Sequence, residues 1–217
     1  MDKDIVINAV AAEVRRRFEG EGSGHDWWHI DRVWKMARRI GQEEHADLFV
    51  VELATLLHDI ADWKFHGGDE TVGPRVTREI LTAQGVPQDV IAHVAEIVET
   101  SGYKGGVAKP GMRTLEGACM QDADRLEAIG AIGIARTFAY GGHKGNPMYD
   151  PEITPTEFAS KEAYAKHKGT TVNHFYEKLF KLKDRMNTAT GKRLALARHR
   201  FMEEFLERFY LECKGEA

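Results

Sequence analysis

Apolar residues recur at helical spacing along almost the whole chain, and no stretch alternates apolar and polar residues as a half-buried strand would. The periodicity predicts helices over 3–19, 24–44, 47–62, 73–84, 88–100, 114–126, 127–139, 171–184 and 188–212. Gly20, Gly85 and Gly102 follow periodic runs, where a left-handed cap is wanted. Ser23 and Asp26 have the spacing of a capping box, and Pro87 suits a first helical turn. Two intervals, Gly102–Arg113 and Gly141–Pro155, read as loops that are long for a compact helical domain, and such loops often serve ligands. The expected fold class is all-α, a multi-helix bundle with a helical C-terminal extension, organised as one domain over residues 1–217.

A chain of 217 residues with 42% hydrophobic content can bury a core without disulfide staples. Cys119 and Cys213 lack zinc-ligand or redox spacing, which fits a reducing cytoplasm. The first twenty residues form an amphipathic pattern instead of a signal peptide, and no apolar run reaches the roughly 18 residues of a membrane span. A formal net charge of −4 argues against duplex nucleic acid as a partner. Glycine-rich phosphate loops and the nucleophile elbow are absent, which removes support for kinase, dehydrogenase and α/β-hydrolase readings.

The chemistry concentrates in three places. The segment DLFVVELATLLHDIAD is apolar nearly all round, so it should be buried, yet it carries His58 and Asp59 side by side. Burying such a pair is costly unless the two are hydrogen-bonded to each other or bound to a cation. His29 shares a helical stripe with Val33, Met36 and Ile40 and points inward, where a backbone carbonyl or a metal would satisfy it. Asp122 and Asp124 interrupt an apolar helical pattern, either as part of a solvated charged face or as inward ligands. Two histidines and two aspartates from three helices make a nitrogen–oxygen set suited to Mn, Mg, Co, Ni, Fe or Zn. HDWWH also approaches the HExxH of zincins, but Asp is shorter than Glu and no third-ligand context follows.

The ordered pattern of His29, His58-Asp59 and Asp124 resembles the HD superfamily of metal-dependent phosphohydrolases. The longer motifs HDWWHIDRV, LLHDIADWKF, QDADRLEAIGAIGIARTFAYGG and HFYEKLFKLKDRMNTATGK are similar to a bacterial subgroup of nucleotide pyrophosphohydrolases, over about residues 5 to 210. The resemblance implies an HD-domain bundle with His29, His58, Asp59 and Asp124 as metal ligands. Asp124 is preferred to Asp122 because the family's ligand directly precedes an Arg-Leu pair. It implies one divalent ion, with Mn favoured, because His66 and His93 lack the spacing of a binuclear site.

It further implies a nucleotide substrate, (d)NTP giving (d)NMP and pyrophosphate through a metal-activated water. Helical spacing puts Asp62 on the face of His58 and Asp59, as general base or as a partner orienting a ligand. Lys64, Tyr103, Lys104, Arg136, Lys144, His174 and Lys178 are the candidate substrate contacts. Lys181 shares the helical face of His174 and Lys178, and Tyr103, Tyr140 or Tyr149 could stack on a base. The alternatives are a nucleotide phosphatase or cyclic-nucleotide phosphodiesterase on the same site, or a sensor that binds metal and nucleotide without turnover. The expected assembly is a monomer or homodimer.

Overall fold

The structure, a computed structural model, describes residues 1–19, 26–60, 69, 71–101, 112–156 and 169–217. Among these the regular structure is helical and no strand occurs. The described residues up to Asp124 form one compact unit and those from Arg125 onward form a second, the boundary falling within a helix.

The first unit contains α1 (Lys3–Arg17), α2 (Trp27–Glu43), α3 (Leu48–Leu57), α4 (Val72–Ala83), α5 (Gln88–Ser101) and most of α6 (Leu115–Glu127). The most apolar of these, α3, packs against α1, α2 and α5. Leu53, Ala54, Leu56 and Leu57 are fully buried. Each such leucine stabilises the fold by about 1.5–3 kcal/mol relative to exposure. Asp47 starts α3 by accepting the amide hydrogen of Phe49 at 2.9 Å. The core is aliphatic, built from residues such as Val10, Val14, Ile30, Leu81, Ile91 and Val94.

The second unit contains the last turn of α6, then α7 (Gly130–Lys144), α8 (Asn173–Glu177), a 3-10 segment (Leu179–Arg185) and the long α9 (Ala189–Lys214). α7 and the 3-10 segment each pack against α9. Its buried side chains are mostly aliphatic, such as Ile129, Val172, Leu179 and Leu206, and a set of half-buried rings surrounds the buried Phe175. Phe175 lies 6.1 Å from both Phe138 and Phe205 and 6.2 Å from Phe180, measured between ring centroids. Phe209 extends this array to Tyr149 and Tyr210.

The elements differ from the sequence expectations at four places. α2 begins at Trp27 instead of residue 24, because Asp26 is itself the N-cap, accepting the amide hydrogen of His29 at 2.8 Å. α3 ends at Leu57 instead of residue 62. Ile60 donates to the Leu57 carbonyl, so His58 and Asp59 lie in a tightened turn. α7 runs through Gly141 and Gly142, and the left-handed Gly145 (φ 69°) caps it. A side chain at Gly141 would meet the Thr171 hydroxyl at 2.2 Å, so close packing fixes that glycine instead of a loop. The expected helix 171–184 breaks at Lys178 (φ −136°, ψ −55°) and continues as the 3-10 segment. His174, Lys178 and Lys181 therefore do not form one α-helical face. Gly85 does adopt the expected left-handed conformation, with φ 67°.

Candidate metal centre

α2, α3 and α6 each deliver part of one polar cluster into the aliphatic first unit. His29 lies on the inward stripe of α2 with Ile30 and Val33, and its side chain is 3% exposed. His58 and Asp59 follow α3 directly, at 5% and 24% side-chain exposure. Asp124, near the end of α6, is 46% exposed and forms the open side of the cluster.

The donor atoms converge. His29 Nε2 is 3.7 Å from Asp59 Oδ2 and 3.7 Å from Asp124 Oδ1. His58 Nε2 is 3.4 Å from Asp59 Oδ2 and 4.0 Å from Asp124 Oδ1. One atom each from His29, His58 and Asp59 lies within 4.8 Å of the others. Bonds of about 2.0–2.2 Å to a shared cation would separate neighbouring donors by roughly 3–3.5 Å, so a modest contraction suffices to bind one ion.

The donor chemistry fits a cation. The Thr55 carbonyl takes the Nδ1 hydrogen of His58 at 2.7 Å, which leaves Nε2 with its lone pair. That buried Nε2 has no hydrogen-bond partner and faces carboxylate oxygens. Lone pair against carboxylate is unfavourable unless a positive charge lies between them. Burial alone would lower the His58 pKa. Asp59, Asp124 and the Thr55 carbonyl together outweigh burial and raise it, the same field that would hold a cation.

Supporting contacts fix the two ligand-bearing segments. The Thr55 hydroxyl donates to the Val51 carbonyl at 2.7 Å within α3. Glu52, 6% exposed, accepts the indole hydrogen of Trp34 at 2.8 Å and lies 3.9 Å from Arg38, tying α3 to α2. Sequence reasoning missed Glu52, although a carboxylate inside DLFVVELATLLHD is the same anomaly that singled out His58 and Asp59. Asp122 is fully buried on α6. Cys119 is no ligand candidate: burial first, then Glu44, Asp122 and Glu116, push its thiol up to about 12. His93 pairs with Glu116 at 3.7 Å and stands outside the cluster.

The remaining candidates fall outside the described residues or in the second unit. Asp62, Lys64, His66, Tyr103 and Lys104 lie outside the described residues. In the second unit the Arg136 guanidinium is 3.6 Å from the buried Glu127 carboxylate, so its charge is partly matched. Lys144 is exposed, its ammonium 5.6 Å from the Tyr140 ring. His174 is pushed down to about 4 by burial and by Lys178, so it is neutral at physiological pH and offers a hydrogen bond instead of a charge. Tyr149, half-buried, packs its edge against Phe209 and Tyr210.

Comparison with known proteins agrees with this geometry. The HD domain family matches residues 27–129, the interval that contains all four candidate ligands. The Bacillus subtilis protein YpgQ is 40% identical over 199 residues, covering 90% of this chain and 87% of its own length. An HD-superfamily hydrolase from Bacillus thuringiensis superposes with a TM-score of 0.80 at 41% identity, covering 98% of this chain and 99% of that one. The crystal structure of YpgQ in complex with ADP superposes with a TM-score of 0.76 at 32% identity, covering 98% and 97%. HD domains bind a divalent metal, and this chain carries a His/Asp cluster able to do so. Among the described residues no helix is long and apolar enough to cross a membrane. By motif, fold and near full-length similarity, the chain belongs to the HD superfamily of metal-dependent phosphohydrolases.

Proposed function

We propose that the chain hydrolyses nucleotide phosphate bonds, converting (d)NTP to (d)NMP and pyrophosphate, with Mn²⁺ as the favoured ion. The observation that carries this reading is the ADP complex of YpgQ, a relative matched along nearly its whole length. His29, His58, Asp59 and Asp124 would hold one cation. When bound, it lowers the pKa of a water and polarises a phosphoryl oxygen.

The chain supplies the rest. The Thr55 carbonyl takes the Nδ1 hydrogen of His58, so in the neutral ring Nε2 carries the lone pair that a cation would accept. The exposed carboxylate of Asp124 marks the side on which phosphate approaches. Asp62 is assigned as the base that takes the proton of the attacking water. As that oxygen bonds to the α-phosphorus, the bond to the bridging oxygen breaks and pyrophosphate leaves. Lys64, Lys104, Lys144, Arg136 and Lys178 are the candidates to match the negative charge that develops, and His174 and Tyr103 the candidates for neutral contacts.

The test is product analysis. Metal-stripped protein reloaded with Mn²⁺ is incubated with NTPs, dNTPs, NMPs and cyclic nucleotides, beside an Asp124→Ala variant. Monophosphate and pyrophosphate in equal amounts, lost in the variant, is the expected result. Orthophosphate from monophosphates, or opening of cyclic nucleotides, would replace it with a phosphatase or phosphodiesterase. Bound nucleotide without turnover under every metal would make the chain a sensor.

A further inference from the structure

The first unit carries three tryptophans on α2, one of them next to the ligand candidate His29 in the chain. Trp34 is occupied by Glu52, and Trp27 packs against the aliphatic core. Trp28, by contrast, is 57% exposed although it directly precedes His29 in the first turn of α2. Its ring is held in place. The Arg15 guanidinium, in the last turn of α1, lies 5.9 Å from the Trp28 ring centroid and 5.8 Å from that of Trp27. Glu13 engages both Arg16 and Arg17, whereas Arg15 has no carboxylate partner among the described residues. The result is an indole with one side on a cation and a large part of its surface open to solvent.

Adjacent residues on a helix diverge by about 100°, which puts their side-chain ends roughly 10 Å apart. That separation is comparable to the span from the base of a nucleotide to its phosphates. A phosphate at the His29 cluster would therefore leave the base within reach of Trp28. We infer that Trp28, held by Arg15, is the surface on which the nucleobase stacks, so that the first unit reads both ends of its substrate. Because the ring is already fixed, little side-chain entropy is lost on stacking. A stacking surface accepts every base, which predicts broad base tolerance with purines preferred for their larger area.

This inference rests on the nucleotide reading, and its test separates the two. Full-length wild-type protein, Trp28→Ala and Trp28→Phe are loaded with Mn²⁺ and assayed with ATP and with inorganic tripolyphosphate, which has no base. Binding of ADP is measured alongside by calorimetry. The expected outcome is a KM for ATP raised by roughly 5- to 150-fold in Trp28→Ala, the range spanned by single base–aromatic stacks. Trp28→Phe should recover most of that loss, and tripolyphosphate kinetics should be the same in all three proteins. Equal losses with ATP and tripolyphosphate, or none with either, overturn the inference while leaving nucleotide hydrolysis intact. If wild type binds ADP without hydrolysing ATP, the hydrolase reading fails, and loss of ADP binding in Trp28→Ala still upholds the stacking role. If wild type neither binds ADP nor hydrolyses ATP, both fall.

Discussion

Both units of this chain bury aliphatic side chains, and they differ in what is set among them. The first fills its interior with valine, isoleucine, leucine and alanine, and sets a cluster of short polar side chains among them. The second also buries aliphatic side chains such as Ile129, Val172, Leu179 and Leu206, but sets Phe175 among half-buried rings in tilted, edge-on and stacked pairs, their spacings including 4.8 Å at Phe180–His199 and 6.3 Å at Phe138–Phe209. Aromatic pairs impose their own geometry, since ring quadrupoles favour tilted over face-to-face contacts.

The largest test of that contrast is Phe175→Ala. Phe175 is fully buried among Phe138, Phe180 and Phe205, and its truncation should cost about 3–5 kcal/mol in urea unfolding. Phe175→Leu keeps most of the apolar area, so a cost near that of the alanine variant would show that ring geometry holds the unit together. In the first unit the comparable lever is the cation. Mn²⁺ at a hundredfold excess over its Kd should add about 2.7 kcal/mol to stability. His58→Ala should remove that increment, and calorimetric scans with and without the ion would detect it. A thermal shift that persists in the variant would put the ion elsewhere.

Gly141→Ala should cost about 1–3 kcal/mol by overpacking, because the new methyl would collide with the Thr171 side chain. A near-neutral result would mean that Thr171 moves aside freely. The last expected effect, at His174, is read through pH. Its pKa is held down to about 4 by burial and Lys178, against an ordinary value near 6.5. Between those values the unfolded chain binds the proton and the folded chain does not. Stability should therefore fall as pH drops from about 6.5 towards 4, and be unaffected by this group above that window. In His174→Gln the difference between urea midpoints at pH 7 and pH 4.5 should shrink.

Much of this organisation was legible in the sequence, and the illegible parts have specific causes. His29, the His58–Asp59 pair and the two aspartates Asp122 and Asp124 stood out because each breaks an apolar pattern on a strongly periodic helix, and the family resemblance singled out Asp124. Glu52 breaks the same pattern but lacks a neighbouring histidine to draw notice. The turn at His58–Ile60 was hidden because nothing in LLHDIAD distinguishes a helix from one that tightens in its last turn. The extension of α7 through Gly141 and Gly142 was hidden because a glycine demanded by a neighbour's side chain looks identical to a loop glycine. The break at Lys178 depends on backbone angles that no local motif announces. Arg136 read as free charge because its partner, Glu127, is nine residues earlier and on a different helix.

The hydrogen bond from His58 Nδ1 to the Thr55 carbonyl has an evolutionary corollary. A carboxylate or amide in that role would be one substitution away from loss. A main-chain oxygen survives every replacement of the residue that bears it. The tautomer of the neutral imidazole is thus insulated from point mutation at position 55. Drift at that position can alter packing, but only a change in the course of the backbone can turn the ring's free nitrogen away from its task.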